Sequence, residues 1–286
     1  CGPAAVIVFF LVSGFCIHHP YKTQWNDKNA IPFIGARLTR ISGPILVATL
    51  IVLLLNIKVS FFYLFVGWSI VCEIFYYSIY PILRRFIHSQ KGWFRAFLIS
   101  FAPTLLTFAL FPIDMVNYPG VGPVFVIFLG LPCWILGILL CYKIELPKQG
   151  PSRSLLHSMR IGIFFLALST HVLALQEIIG HPFTLNFFAI TAFFWLRIEV
   201  LFFKSNKSNQ LMELLGKSSY SIYLMHGIPP HLFSFFGVDL NHVGYVFLAY
   251  WILLIPITTF FYFTVEKPFH HVARKIRSSL SPKLAA

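Results

Sequence analysis

Nine apolar runs separated by short polar connections limit what this chain can fold into more than any other feature. They lie at about 3–19, 41–57, 66–83, 95–112, 123–141, 161–179, 184–203, 218–236 and 244–264. Each approaches the ~20 residues that a helix needs to cross a bilayer's hydrocarbon. None shows the apolar–polar alternation of a barrel strand. In hydrocarbon a segment must satisfy its own backbone polar groups, so the runs are predicted to be helices. The fold class that follows is all-α, a polytopic integral membrane helix bundle with about nine transmembrane helices. Composition agrees where it matters: 11% of residues are charged, against about 25% in soluble domains.

The connections alternate in charge. Twenty of the 22 Lys and Arg residues fall in every second connection or in the C-terminal tail; Lys58 lies on the opposite side and Arg197 within a run. The positive-inside rule then predicts a multi-pass protein of a cell (inner or plasma) membrane, with its C-terminus and basic loops cytoplasmic. The net charge of +13 does not indicate nucleic acid, because it is dispersed over these loops with no continuous basic face. The five cysteines show no metal-ligand spacing and read as packing residues, so no metal is expected. No phosphate-binding loop, dinucleotide fingerprint or HExxH motif occurs. The chain begins Cys1-Gly-Pro without an initiator Met. An odd number of spans with a cytoplasmic tail starts it outside, which predicts one further span upstream.

The run 66–83 carries Glu73 near its middle, at an insertion cost on the order of 2.5–3.5 kcal/mol. Ser69, Glu73, Tyr76 and Tyr80 share one helical face. They read equally as an interhelical hydrogen-bond stripe or as a cavity wall with a proton donor or acceptor. A second stripe, Ser219, Tyr223 and His226, precedes Gly227, Pro229 and Pro230; His226 reads as a packing residue or as a substrate-binding or proton-relaying group. His171 reads as structural, His18 and His19 as interfacial, Arg197 and Glu199 as snorkelling, and Glu266 as a residue at the membrane edge. Arg37 and Arg40 are three apart on the cytoplasmic approach to the second run. They are either positive-inside charges or a clamp for phosphate, which guanidinium groups bind in a forked geometry.

Five segments, in order, resemble the signatures of the acyltransferase 3 family of membrane O-acyltransferases. They are VFFLVSGFCIH (8–18), FIGARLTRISGP (33–44), GWSIVCEIFYYSIYP (67–81), LGKSSYSIYLMHGI (215–228) and TVEKPF (264–269). The resemblance implies a membrane acyltransferase domain over 1–270 followed by a basic cytoplasmic tail, 271–286, in a complete domain of ten spans. It implies transfer of an acyl group, commonly acetyl, from cytoplasmic acyl-CoA to a hydroxyl of a surface saccharide or a lipid-linked glycan. Acyl-CoA is then a co-substrate and no cofactor is needed. Arg37 and Arg40 become donor-binding residues, and Glu73 and His226 catalytic candidates. Ser13, Ser69, Tyr76, Ser219 and Tyr223 become cavity-lining residues. The family's first span carries an Arg and a His taken as the catalytic base; no residue here matches that His, so this chain is expected to lack it. The alternative is a multi-pass transporter or a lipid or oligosaccharide flippase, though no internal repeat supports it.

Overall fold

A computed structural model of the chain describes residues 2–23, 25–57, 67–114, 118–144, 150–237 and 243–280. Cys1, Lys58, Lys148, Lys283 and the first residue of the 66–83 run lie outside them. The described residues form thirteen α-helices and no strand. The helices are α1 (Gly2–His18), α2 (Ala30–Leu54), α3 (Trp68–Phe86), α4 (Gln90–Ser100), α5 (Ala102–Leu110) and α6 (Pro123–Leu140). They continue with α7 (Arg153–Leu175), α8 (His181–Ser205), α9 (Gln210–Lys217), α10 (Ser219–Met225) and α11 (Ile228–Phe235). The last two are α12 (Val243–Phe261) and α13 (Lys267–Leu280), joined by a π-helical turn, Tyr262–Glu266.

Six segments are long and apolar enough to span a membrane: Gly2–Tyr21, Asp27–Leu54, Gln90–Leu110, Arg153–Leu175, His181–Ser205 and Gly244–Ser279. Leu46, Leu50, Phe164, Phe165, Phe247 and Phe260 on these segments point their apolar surface outward, as lipid-facing residues do. The expected count of about nine is not matched among the described residues. The 66–83 run folds as α3, but Glu73 and the Arg84–Arg85 end make it less apolar. The 123–141 run gives only the shorter apolar stretch Val124–Leu140. The 218–236 run is split into α10 and α11, with His226 and Gly227 between them.

By internal packing the chain divides into two units, and the division falls inside α3, after Ile70. The first comprises Cys1–Trp25 and Val71–Lys207. Its centre is the seam of α1 and α6, which works because of glycine. A Cβ on Gly14 would overlap the Trp134 carbonyl, and one on Gly137 would overlap the Leu11 carbonyl. Small residues allow membrane helices to approach to backbone contact. Around the seam lie Phe10, Tyr76, Tyr80, Trp93 and Trp134, all fully buried; Tyr80 stacks on Trp93 with centroids 6.4 Å apart. Polar ties cross the apolar helices. Asn186 Nδ2 donates to Thr104 Oγ1 at 2.7 Å, and Arg160 grips Glu199 with two bonds of 2.6 and 2.9 Å between α7 and α8. Arg197 and Lys204 donate to the carbonyls of Lys143 and Ile144.

The second unit comprises Asn26–Ile70 and Ser208–Ala286. Here α2 runs antiparallel to α13: Gly35 meets Ile276, Arg40 meets His270, and Gly43 gives room to the Phe269 ring. Pro44 interrupts the hydrogen-bond ladder of α2, and the nearby Ile41 carbonyl accepts from Tyr220 Oη at 3.1 Å. Asn56, at φ 54°, ends the helix with Ile57 N donating to Val52 O at 2.9 Å and Asn56 N to Leu53 O at 3.0 Å. That is the paired closure a left-handed residue permits.

Candidate functional site

In the first unit, Glu73 is 3% exposed and faces α1. Its Oε1 accepts from Ser13 Oγ at 3.1 Å and from Tyr77 Oη. Ser13 and Tyr77 are themselves 3.2 Å apart. Two donors on one carboxylate oxygen offset the burial of this acid. Tyr76, placed in the same stripe on sequence grounds, turns elsewhere: its hydroxyl donates to the Ile127 carbonyl at 2.7 Å, and its ring meets Phe10 edge-on.

Toward the end of α3 the polar face continues through residues that hydropathy did not single out. His18 is fully buried, not interfacial as the sequence suggested. Its Nδ1 lies 3.0 Å from Tyr80 Oη and its Nε2 3.0 Å from Tyr142 Oη. A neutral ring has one donor and one acceptor nitrogen, so one tyrosine donates to it and the other accepts. Burial pushes the Tyr142 phenol above its ordinary value, which keeps it protonated. Arg84 is also buried and donates to the carbonyls of Tyr21 at 3.2 Å, Lys22 at 3.1 Å and Ile87 at 3.0 Å. The turn after α1 supplies the first two of these carbonyls, and the end of α3 the third. Arg84 looked like a loop charge because its own segment does not show the Tyr21 and Lys22 carbonyls.

In the second unit, His226 sits at the turn between α10 and α11. Its Nδ1 is 2.7 Å from the Tyr223 carbonyl, a contact only an N–H can make favourably. The lone pair is therefore on Nε2. The ring stacks on Tyr223 at 5.8 Å, and Tyr223 Oη is 2.6 Å from Ser69 Oγ. Ser219 is exposed and donates to the Gly216 carbonyl at 2.9 Å. Ser221 of this segment is fully buried, and its backbone N and Oγ both donate to Glu266 Oε2. Glu266 Oε1 lies 3.4 Å from His270 Nε2. Arg40 Nε donates to that same His270 nitrogen at 3.0 Å. The shorter contact requires a lone pair on Nε2, so the 3.4 Å approach to Glu266 is not a hydrogen bond in this state. Arg37 lies over the Phe33 ring at 5.8 Å. Glu73 thus belongs to one unit, and Arg37, Arg40, Tyr223 and His226 to the other. No group of three or more metal-ligating side chains occurs among the described residues.

A family model described as an acyltransferase domain matches residues 1–266. The chain belongs to the acyltransferase 3 family. No curated protein and no solved structure matches it. The all-helical, lipid-facing architecture is that of a membrane protein. Within this acyltransferase 3 chain, the five signature segments carry Ser13, Arg40, Glu73, Ser221 and Glu266. The last two had no role on sequence grounds. Helical spacing puts Ser219, not Ser221, on the face of Tyr223, and Glu266 is about 45 residues distant from its serine partner.

Proposed function

We propose that the chain is an integral membrane O-acyltransferase. It moves an acyl group, acetyl in the first instance, from cytoplasmic acyl-CoA to a hydroxyl of a saccharide or lipid-linked glycan. The observation that carries this reading is the acyltransferase domain match over residues 1–266. The chemistry needs a base for the acceptor hydroxyl. The alkoxide oxygen forms a bond to the thioester carbonyl, the C–S bond breaks, and the thiolate of CoA takes up the proton. His226, with Nδ1 tied to a carbonyl and a lone pair on Nε2, suits the proton-accepting role. Glu73, held by Ser13 and Tyr77, suits orientation of a hydroxyl. Arg37 and Arg40 suit the donor's phosphates. The positive-inside pattern supports a cytoplasmic C-terminus and a cytoplasmic donor in the inner or plasma membrane.

The test is turnover. Membranes carrying the intact gene product should release CoA thiol from acetyl-CoA only when a glycan acceptor is present. Arg37→Gln with Arg40→Gln should raise KM for acetyl-CoA. His226→Gln and Glu73→Gln should instead lower kcat, by about 10²-fold or more where a proton is transferred. Glycan movement across the bilayer with no thiol release would favour a transporter and overturn the proposal.

A further inference from the structure

The antiparallel register of α2 and α13 places cations opposite one another. Gly35 lies 3.6 Å from the Ile276 methyl, Arg40 Nε lies 3.0 Å from His270 Nε2, and Gly43 lies against the Phe269 ring. Reading along this ladder, Arg37 falls across from Arg274. Arg40, Arg274, His271 and Arg37 all lie within electrostatic reach of His270. On α13, His270, Arg274 and Arg277 recur at helical spacing on one face. Arg40 and Arg274 are exposed, whereas Arg37 and His270 are half-buried. The cations therefore line a seam that remains open to solvent.

Glu266 is the carboxylate beside His270, and its Oε2 is taken by Ser221 N and Oγ. Like charges gathered along one seam repel one another, and an anion entering it would relieve that repulsion. Arg40 is exposed and donates its Nε to a neutral imidazole. A planar guanidinium fork pairs with phosphate oxygens in a bidentate fashion. Both helices leave the apolar part of their spans here. The Gly244–Ser279 segment has 36 residues, about 54 Å of helix at 1.5 Å per residue, against ~30 Å of hydrocarbon.

We propose that α13 supplies half of a phosphate site, with His270 and Arg274 completing the pair Arg37 and Arg40 around a phosphate ester of a nucleotide-type donor. This deepens the proposed donor site and rests on that reading. Arg274 is a ligand, and His270 is a positioning residue that holds Arg40 through its Nε2.

The experiment measures the affinity of coenzyme A for the intact chain in detergent, with inorganic phosphate as competitor. It compares wild type, Arg274→Gln, Arg274→Lys, His270→Gln and the double variant Arg37→Gln/Arg40→Gln. Thermal melting identifies variants that fail to fold. Arg274→Gln should weaken coenzyme A roughly ten-fold, the effect of one charged hydrogen bond. Arg274→Lys should recover only part of it, because ammonium lacks the fork. His270→Gln should weaken binding less, and phosphate should compete with wild type but poorly with Arg274→Gln. If Arg274→Gln binds like wild type while the α2 double variant is weakened, the donor reading stands and the α13 half is refuted. If neither set changes affinity, both fail. A loss confined to nanodiscs containing phosphatidylglycerol, with coenzyme A affinity unaltered, would reassign the seam to lipid headgroups and overturn the nucleotide assignment.

Discussion

A buried histidine between two tyrosines tests how much a hydrogen bond matters in this bundle. His18 holds Tyr80 on one side and Tyr142 on the other. Interhelical hydrogen bonds in membrane proteins average only ~0.6 kcal/mol, but leaving a buried polar group unpaired costs about 1–3 kcal/mol. Tyr80 is fully buried, whereas Tyr142 is partly accessible and can turn to water. His18→Phe, which strands the Tyr80 hydroxyl, and Tyr142→Phe, which strands Nε2 of the buried His18, should therefore each destabilise the chain by about 1–3 kcal/mol. Denaturant titrations in detergent check both values; no loss in His18→Phe would mean that Tyr80 finds another partner. Sequence reasoning found Glu73 because an acid in an apolar run stands out in its own segment. It did not place His18 or Arg84, because the tyrosines around His18 and the Tyr21 and Lys22 carbonyls that hold Arg84 lie more than 60 residues away in sequence. Tyr76 and Tyr77 are both within a turn of Glu73, and partners on other helices separate them: Tyr76 turns to the Ile127 carbonyl, whereas Tyr77 meets Ser13 and the carboxylate.

The α1–α6 seam carries an element-scale prediction. The Gly14 and Gly137 contacts are with backbone carbonyls, and backbone cannot rotate aside as a side chain can. Gly137→Val should force α6 off α1 and cost about 1–3 kcal/mol or more, together with the burial of Phe10 and Trp134. Gly162 on α7, where an added Cβ meets nothing, should tolerate the same replacement within about 0.5 kcal/mol apart from helix propensity. Melting curves of the two variants make the comparison, and similar losses would show that the seam is looser than described. The helical runs themselves were legible because hydropathy is a property of a single segment. The break at His226 and the pairing of α2 with α13 were not, since Pro229 and Pro230 permit several bends and register is settled only between segments.

At the scale of the whole molecule, each unit is assembled from two separated stretches of chain. Every stretch of the first is present once Lys207 has been made. A chain stopped there should keep Cys72, Cys133 and Cys141 buried as they are now. With Cys1 and Cys16 replaced by Ser, maleimide labelling of residues 1–207 should be as slow as labelling of the full chain. Rapid labelling would show that the first unit cannot hold its core alone. The second unit has the opposite problem. Its α2 is synthesised well before α13, the partner whose Phe269 ring lies over Gly43. About 210 residues separate the end of α2 from the start of α13, a delay of roughly 10–40 s at typical translation rates. For that interval α2 waits in the membrane without α13, so the nascent protein relies on insertion machinery or lipid to hold open a place that its own chain fills only after the intervening helices have been made.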